Sequence, residues 1–230
     1  IDNAFGGSNI NGNISGSIQV NVNKGADPCV WNIGNIYGAS NDATYSPTAD
    51  GNSLTVNIMN GNINGSVYGG GKGATATVTA NPAVVIGDGN AEHSVIIAQN
   101  VYGGGDAAAV DGNTQVTYND NNAAGHVDNL FGGGNAAGVS GTATVNMMAG
   151  TITTGIYGGC NSVGDVAGAI QVNIYGGTLG SSSAHMPGGI FGGGYGQNTT
   201  TSGNVTVTIG DLEGNYTPVV YADIYGGAAP

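Results

Sequence analysis

Residues 127–160 read VDNLFGGGNAAGVSGTATVNMMAGTITTGIYGGC, and this stretch holds the unit from which the chain is built. An apolar residue, an aromatic and a glycine open the unit at Leu130-Phe131-Gly132. The same triplet returns at Ile156-Tyr157-Gly158. Working outward, eight such triplets fall in phase with one another, with rings at Phe5, Tyr37, Tyr68, Tyr102, Phe131, Tyr157, Phe191 and Tyr225. The intervals run from 26 to 34 residues. A repeat of that size is one supersecondary unit stacked on copies of itself.

Between the rings lies a second column: Val20, Val56, Val84, Val116, Val145, Val172 and Val207. Two residues to either side the pattern is again mostly apolar, as in Leu54 and Ile58, Ile170 and Ile174, or Val205 and Ile209. Polar residues fill the gaps, such as Thr55 and Asn57 or Gln171 and Asn173; Ala83 and Val85 break that rule. Alternation with period two is a strand with one buried face. A looser third column sits five residues before the ring: Ile63, Ile97, Ile152, Met186 and Val220, with Asn32 and His126 as exceptions. No helical period is present, and glycine and β-branched residues disfavour one.

The pattern predicts an all-β, single-domain parallel β-solenoid over residues 1–230. It has about seven coils of roughly 31 residues, each with two to three short strands and essentially no α-helix. The coils begin near Phe5, Tyr37, Tyr68, Tyr102, Phe131, Tyr157 and Phe191. Stacked at about 4.8 Å, they make a rod of roughly 34 Å. A β-propeller blade needs four strands and about 40 residues, more than this repeat supplies.

Glycine accounts for 46 of the 230 residues, but without the Gly-X-Y period of collagen. The 40% apolar share and its regular alternation exclude a disordered low-complexity chain. There is no arginine, and Lys24 and Lys72 stand against 14 acids for a net charge of −12. That balance excludes nucleic-acid binding and electrostatic attachment to anionic membranes. No apolar run is long enough for a membrane insertion by a spanning helix. No signal peptide or initiator Met is seen, so Ile1 reads as a processed or trimmed end. Two tryptic sites suit extracellular life among proteases; a solenoid surface of Asn, Thr and Gly also needs few charges. Cys29 and Cys160 lie more than four coils apart, too far for a disulfide. Cys160, at a glycine position of the repeat, reads as a small buried thiol.

Four residues after the ring the chain places Asn9, Asn41, Lys72, Asp106, Asn135, Asn161 and Tyr195. Asparagine tolerates left-handed backbone at turns, and stacked asparagines hydrogen-bond along the axis; Asn9, Asn41, Asn135 and Asn161 form the expected ladder. The rings have two readings. Alternation from the polar residues two before them (Asn3, Asn35, Ser66, Asn100, Asn129, Asp223) points them outward, as an exposed ladder for lateral packing or sugar rings. A glycine corner would instead turn them inward as a buried stack.

Chemistry is harder to find. There is no G-x-x-x-x-G-K-S/T phosphate loop and no helix to follow one. The tract 103–111 carries Asp106 and Asp111, but not at calcium-nonapeptide spacing. His93, His126 and His185 share no repeat phase and have no partners at metal-ligand spacing. Glu92 and Asp120 have nearly the same phase in adjacent coils, and Asp88 and Asp211 share one four coils apart. A glycosidase needs a carboxylate pair at set separation and a walled cleft, and the loops here are short. Ice binding would need Thr-x-Thr ladders, and only Thr206/Thr208 supplies one in the valine-column strands. No catalytic, cofactor-binding or metal residues are assigned.

The tract quoted above and 168–180, GAIQVNIYGGTLG, resemble the glycine-rich "VYGGG" repeats of large bacterial cell-surface and secreted proteins of adhesin or autotransporter-passenger type. The resemblance covers all seven coils. It implies a secreted β-solenoid in adhesion, matrix or appendage formation, and brings no catalytic residues. Both ends of the chain fall at the same repeat phase without a polar cap, which favours end-to-end strand pairing. The expected function is a non-enzymatic subunit of an extracellular or cell-surface filament, partnered by itself head to tail. The alternatives are a segment of a surface adhesin binding glycans or host matrix, and, less favoured, a polysaccharide-active β-helix enzyme.

Overall fold

The computed structural model describes residues 1–25, 32–49, 52–211 and 217–230. The apolar columns stack as parallel strands, because one coil cannot bury its own apolar residues and its neighbour can. The result is an all-β parallel β-solenoid of about seven turns with about 32 residues per turn, without a helix among the described residues.

The valine column builds one face. Strands Ile18–Asn23, Leu54–Ile63, Pro82–Ile86, Thr114–Asn119, Ala143–Ala149, Ile170–Ile174 and Val205–Ile209 pair in parallel. Their register places Val20, Val56, Val84, Val116, Val145, Val172 and Val207 side by side. The five middle valines are buried, while Val20 and Val207, in the terminal coils, are half-buried. Ala83 and Val85 keep their outward register despite being apolar. Thr114 is a polar residue on the inner face, and its hydroxyl donates to the Gly132 carbonyl at 2.6 Å.

The aromatic triplets build a second face. All eight rings fall in one register line, from Phe5 beside Tyr37 through to Phe191 beside Tyr225. The third apolar column also lies on this sheet, but not at a constant offset. A register irregularity lets Ile97, five before its ring, pair with Val127, four before its own. Val127 therefore takes the place expected of His126, and Ile33 pairs with Ile63 in place of Asn32. In the sixth coil Leu179, rather than Met186, pairs with Ile152 and Val220. Met186 is buried all the same, its N–H donating to Tyr221.

A further line of single bridges, Tyr45 to Val78, Val110, Val139 and Val166, closes the cross-section. It lies eight to ten residues after the ring, and the varying offset hides it in the sequence. All five residues belong to the same apolar core as the valine column. The Cys160 thiol is buried in that core and donates to the Ala137 carbonyl at 3.3 Å; Cys29 lies outside the described residues.

The motif glycine owes its identity to close approach. None of the eight has a left-handed φ. A Cβ at Gly38, Gly69, Gly103 or Gly132 would collide with the carbonyl oxygen of the motif glycine in the next coil. The expectation of left-handed asparagines is also corrected: among the described residues every positive φ belongs to glycine.

Candidate functional site: the aromatic stack and its amide walls

The ring leaves its strand on the face opposite the preceding apolar residue. Ile36, Val67, Val101 and Leu130 join the main core, whereas the rings form a cluster of their own. Strand spacing sets the ring spacing. Six of the seven neighbouring pairs have centroids 4.7–4.9 Å apart, and the seventh, Tyr157–Phe191, 5.6 Å. All seven pairs are stacked nearly parallel, at 3–15°.

The two sequence readings each capture part of this. The rings point away from the main core, as alternation requires, yet they are not an exposed ladder. Tyr37 and Tyr102 keep 2% of their surface and Phe191 8%, while Tyr225, in the last coil, keeps 48%. Each interior ring covers the face of the next, and polar walls run alongside.

One wall carries the residues two before the ring. Asn35 donates its side-chain amide to Asn3 Oδ1 at 3.1 Å, and Asn129 donates to Asn100 Oδ1 at 2.8 Å. The other wall carries the residues four after it. Asn41 donates to Asn9 Oδ1 at 3.0 Å, Asn135 to Asp106 Oδ1 at 2.7 Å, and Asn161 to Asn135 Oδ1 at 2.8 Å. Lys72 interrupts this wall and Tyr195 ends it. The Tyr102 hydroxyl accepts from both walls, from Asn100 at 2.9 Å and Asn161 at 3.1 Å.

Burial raises the phenol pKa values. Tyr37 and Tyr102 are pushed up to about 12, and Tyr68 goes higher still. Desolvation is the main cause, and the two amide donors offset part of it at Tyr102. An unfolded tyrosine titrates near 10, so between about pH 10 and 12 the folded state holds protons the unfolded state has lost. This contribution to stability is complete below about pH 10 and disappears as pH rises through about 12. Melting temperature should fall across that window, tracked by tyrosinate absorbance. The double variant Tyr37→Phe, Tyr102→Phe should flatten the fall.

The acids and histidines take other roles. Asp120 is buried, and its Oδ2 and Oδ1 accept the N–H groups of Val95 and Asn122 at 2.8 and 3.0 Å. It ties one coil to the next, whereas Glu92 is exposed. Asp88 Oδ2 lies 2.7 Å from His93 Nδ1 at the surface. His126 Nδ1 lies 3.1 Å from the Ala124 carbonyl oxygen, and His185 packs against Tyr221. Among the described residues no three His, Cys, Asp or Glu side chains are grouped to hold a metal ion.

One feature escaped the sequence reading. The first wall stops at Asn129, because Gly155 and then Gly189 occupy its positions in the next two coils. A groove of about 810 Å³ lies there, lined among others by Asn129, Thr154, Tyr157, Asn161, Phe191 and Tyr195. Tyr195 packs edge-on against Tyr157, at 5.3 Å and 66°, and is 46% exposed. The signal was the loss of a polar residue two before the ring at Gly155 and Gly189.

These features place the chain among parallel β-solenoids, with a column of stacked rings outside the main core. No protein family matches the chain, and neither the curated proteins nor the solved structures contain a match to it.

Proposed function

We propose that this chain is a non-enzymatic structural protein, a subunit of an extracellular or cell-surface filament built by head-to-tail stacking of β-solenoids. One observation carries the reading: every coil meets the next through the same parallel register, valine beside valine and ring beside ring, so the edge of one coil fits that of another. Ile224 is 46% exposed, although its register partner Ile190 is fully buried. Ile209, Val219 and Tyr225 are exposed beside it. Tyr225 is stacked on Phe191, and Phe5, in the first coil, is stacked on Tyr37. Coils that match in chemistry and register stack on one another through their strand edges, whether the next coil belongs to the same copy or to a second one.

Electron microscopy with sedimentation velocity tests this. Fibres that lengthen with protein concentration are expected. Ile224→Lys, which places a charge on the exposed edge, should reduce them to short rods. Discrete rods of the unmodified chain at every concentration would count against the filament.

The alternative is a segment of a large bacterial surface adhesin that binds glycans or host matrix. It rests on the likeness to glycine-rich surface repeats and on the groove beside Tyr157 and Phe191. A polysaccharide-active enzyme has less support, since both oxygens of Asp120 already accept backbone N–H groups.

A further inference from the structure

We propose that the groove beside Tyr157 and Phe191 binds a neutral saccharide, held by acceptor-terminated amide ladders and the ring of Tyr195. This deepens the glycan-binding alternative and does not depend on end-on stacking.

Asp106 sets the polarity of one wall. A carboxylate only accepts hydrogen bonds, so Asn135 must turn its NH₂ group toward it. That leaves Asn135 Oδ1 to accept from Asn161, which fixes the orientation of Asn161 in turn. The donors of this wall therefore face the earlier coil and the acceptors face the later one. The other wall has the same polarity: Asn129 gives its NH₂ to Asn100. Each amide ladder must end on an oxygen. On the first wall that oxygen is Asn129 Oδ1, which is buried and has no hydrogen-bond partner. Gly155, its neighbour in the next coil, has no side chain to supply a donor. On the other wall the next position after Asn161 is Tyr195.

Both walls thus end on an acceptor at the same groove, and on the first of them that acceptor has no donor. An unsatisfied buried acceptor is costly, and a ligand that brings hydroxyl hydrogens relieves it. The second demand comes from Tyr195. Its ring stands at 66° to Tyr157, across the direction of the stack, and is half-exposed. It offers an aromatic surface on which the C–H face of a sugar can lie. Charge supplies the third constraint. Among the described residues no Asp, Glu, Lys, Arg or His side chain lines the groove, and the chain carries a net charge of −12 with no arginine. Acidic sugars would meet repulsion and no counter-charge. A neutral, hydroxyl-rich ligand with apolar ring faces meets all three demands.

Isothermal titration calorimetry of the full chain with neutral gluco-, manno-, galacto- and N-acetylglucosamine hexaoses tests the proposal, with oligogalacturonate as the anionic comparator. At least one neutral hexaose should bind and oligogalacturonate should not. Tyr195→Ala should weaken binding about tenfold. Thr154→Trp, which puts bulk into the groove from a half-buried position, should abolish it. Matching thermal melts would show that both variants fold. Silence toward all four neutral hexaoses overturns the proposal. So does neutral binding that survives Thr154→Trp or Tyr195→Ala, or a preference for oligogalacturonate. Sedimentation of the same samples separates the two readings: monomers that bind sugar remove the filament and keep the groove, and silent fibres do the reverse.

Discussion

Gly69→Ala is expected to lower stability by about 3 kcal/mol, at the upper end of what overpacking costs. For a chain of this size that is a fall in melting temperature of roughly 6–12 °C. A Cβ at Gly69 would strike the Gly103 carbonyl oxygen, and would lie 3.1 Å from Val84 Cγ2. The carbonyl is main chain, held in the ladder by the bonds on either side of it, so it cannot swing aside as a side chain could. The coils must separate instead, which stretches the bond from Gly69 N to the Tyr102 carbonyl, now 2.9 Å. Because each coil touches only its neighbours, a widened gap in mid-rod divides one cooperative unit into two. Circular dichroism melts should show a lower midpoint and a broadened transition. Gly226→Ala is the control. It occupies the same motif position, but an added Cβ meets nothing within 4 Å there. Its stability should change by no more than about 1 kcal/mol.

Tyr102→Ala should cost about 3 kcal/mol or more. The ring is almost fully covered, with Tyr68 at 4.8 Å on one face and Phe131 at 4.9 Å on the other. Its removal opens a slot that the ladders hold apart, so the neighbouring rings cannot close on each other. Tyr102→Phe separates the ring from its hydroxyl. It keeps the stack but takes away the acceptor for Asn100 and Asn161. A loss of about 1–2 kcal/mol is expected, since both donors sit near the surface and water can serve them in part. Urea unfolding should rank the three proteins as unmodified, then Tyr102→Phe, then Tyr102→Ala. Equal midpoints for Tyr102→Phe and Tyr102→Ala would show that the stack itself contributes nothing.

The parts of the fold legible in the sequence were those governed by a constant period. The valine column from Val20 to Val207 alternates with polar neighbours in every coil but the one holding Ala83 and Val85, and that alternation reads as one buried face of a strand. The third column was only half legible. A fixed distance from the ring does not follow it, because a register irregularity moves Val127 and Ile33 by one residue. The line from Tyr45 to Val166 is hidden in the sequence for the same reason. A loop that gains or loses one residue leaves the stacked position unchanged and alters its number, so counting alone loses it.

What the sequence determined by itself is the repeat, and with it the solenoid. An apolar residue, a ring and a glycine returning at each coil, with β-branched residues alternating between, can bury their apolar faces only by stacking coil on coil. What the tertiary structure alone decided is the environment of the rings. Alternation turned them away from the main core, but their burial depends on neighbours about 30 residues away along the chain. At strand spacing the rings cover one another, and the amides beside them bond only from coil to coil. The groove arises in the same way. Gly155 and Gly189 are two glycines among 46 until stacking sets them at the end of a wall of asparagines.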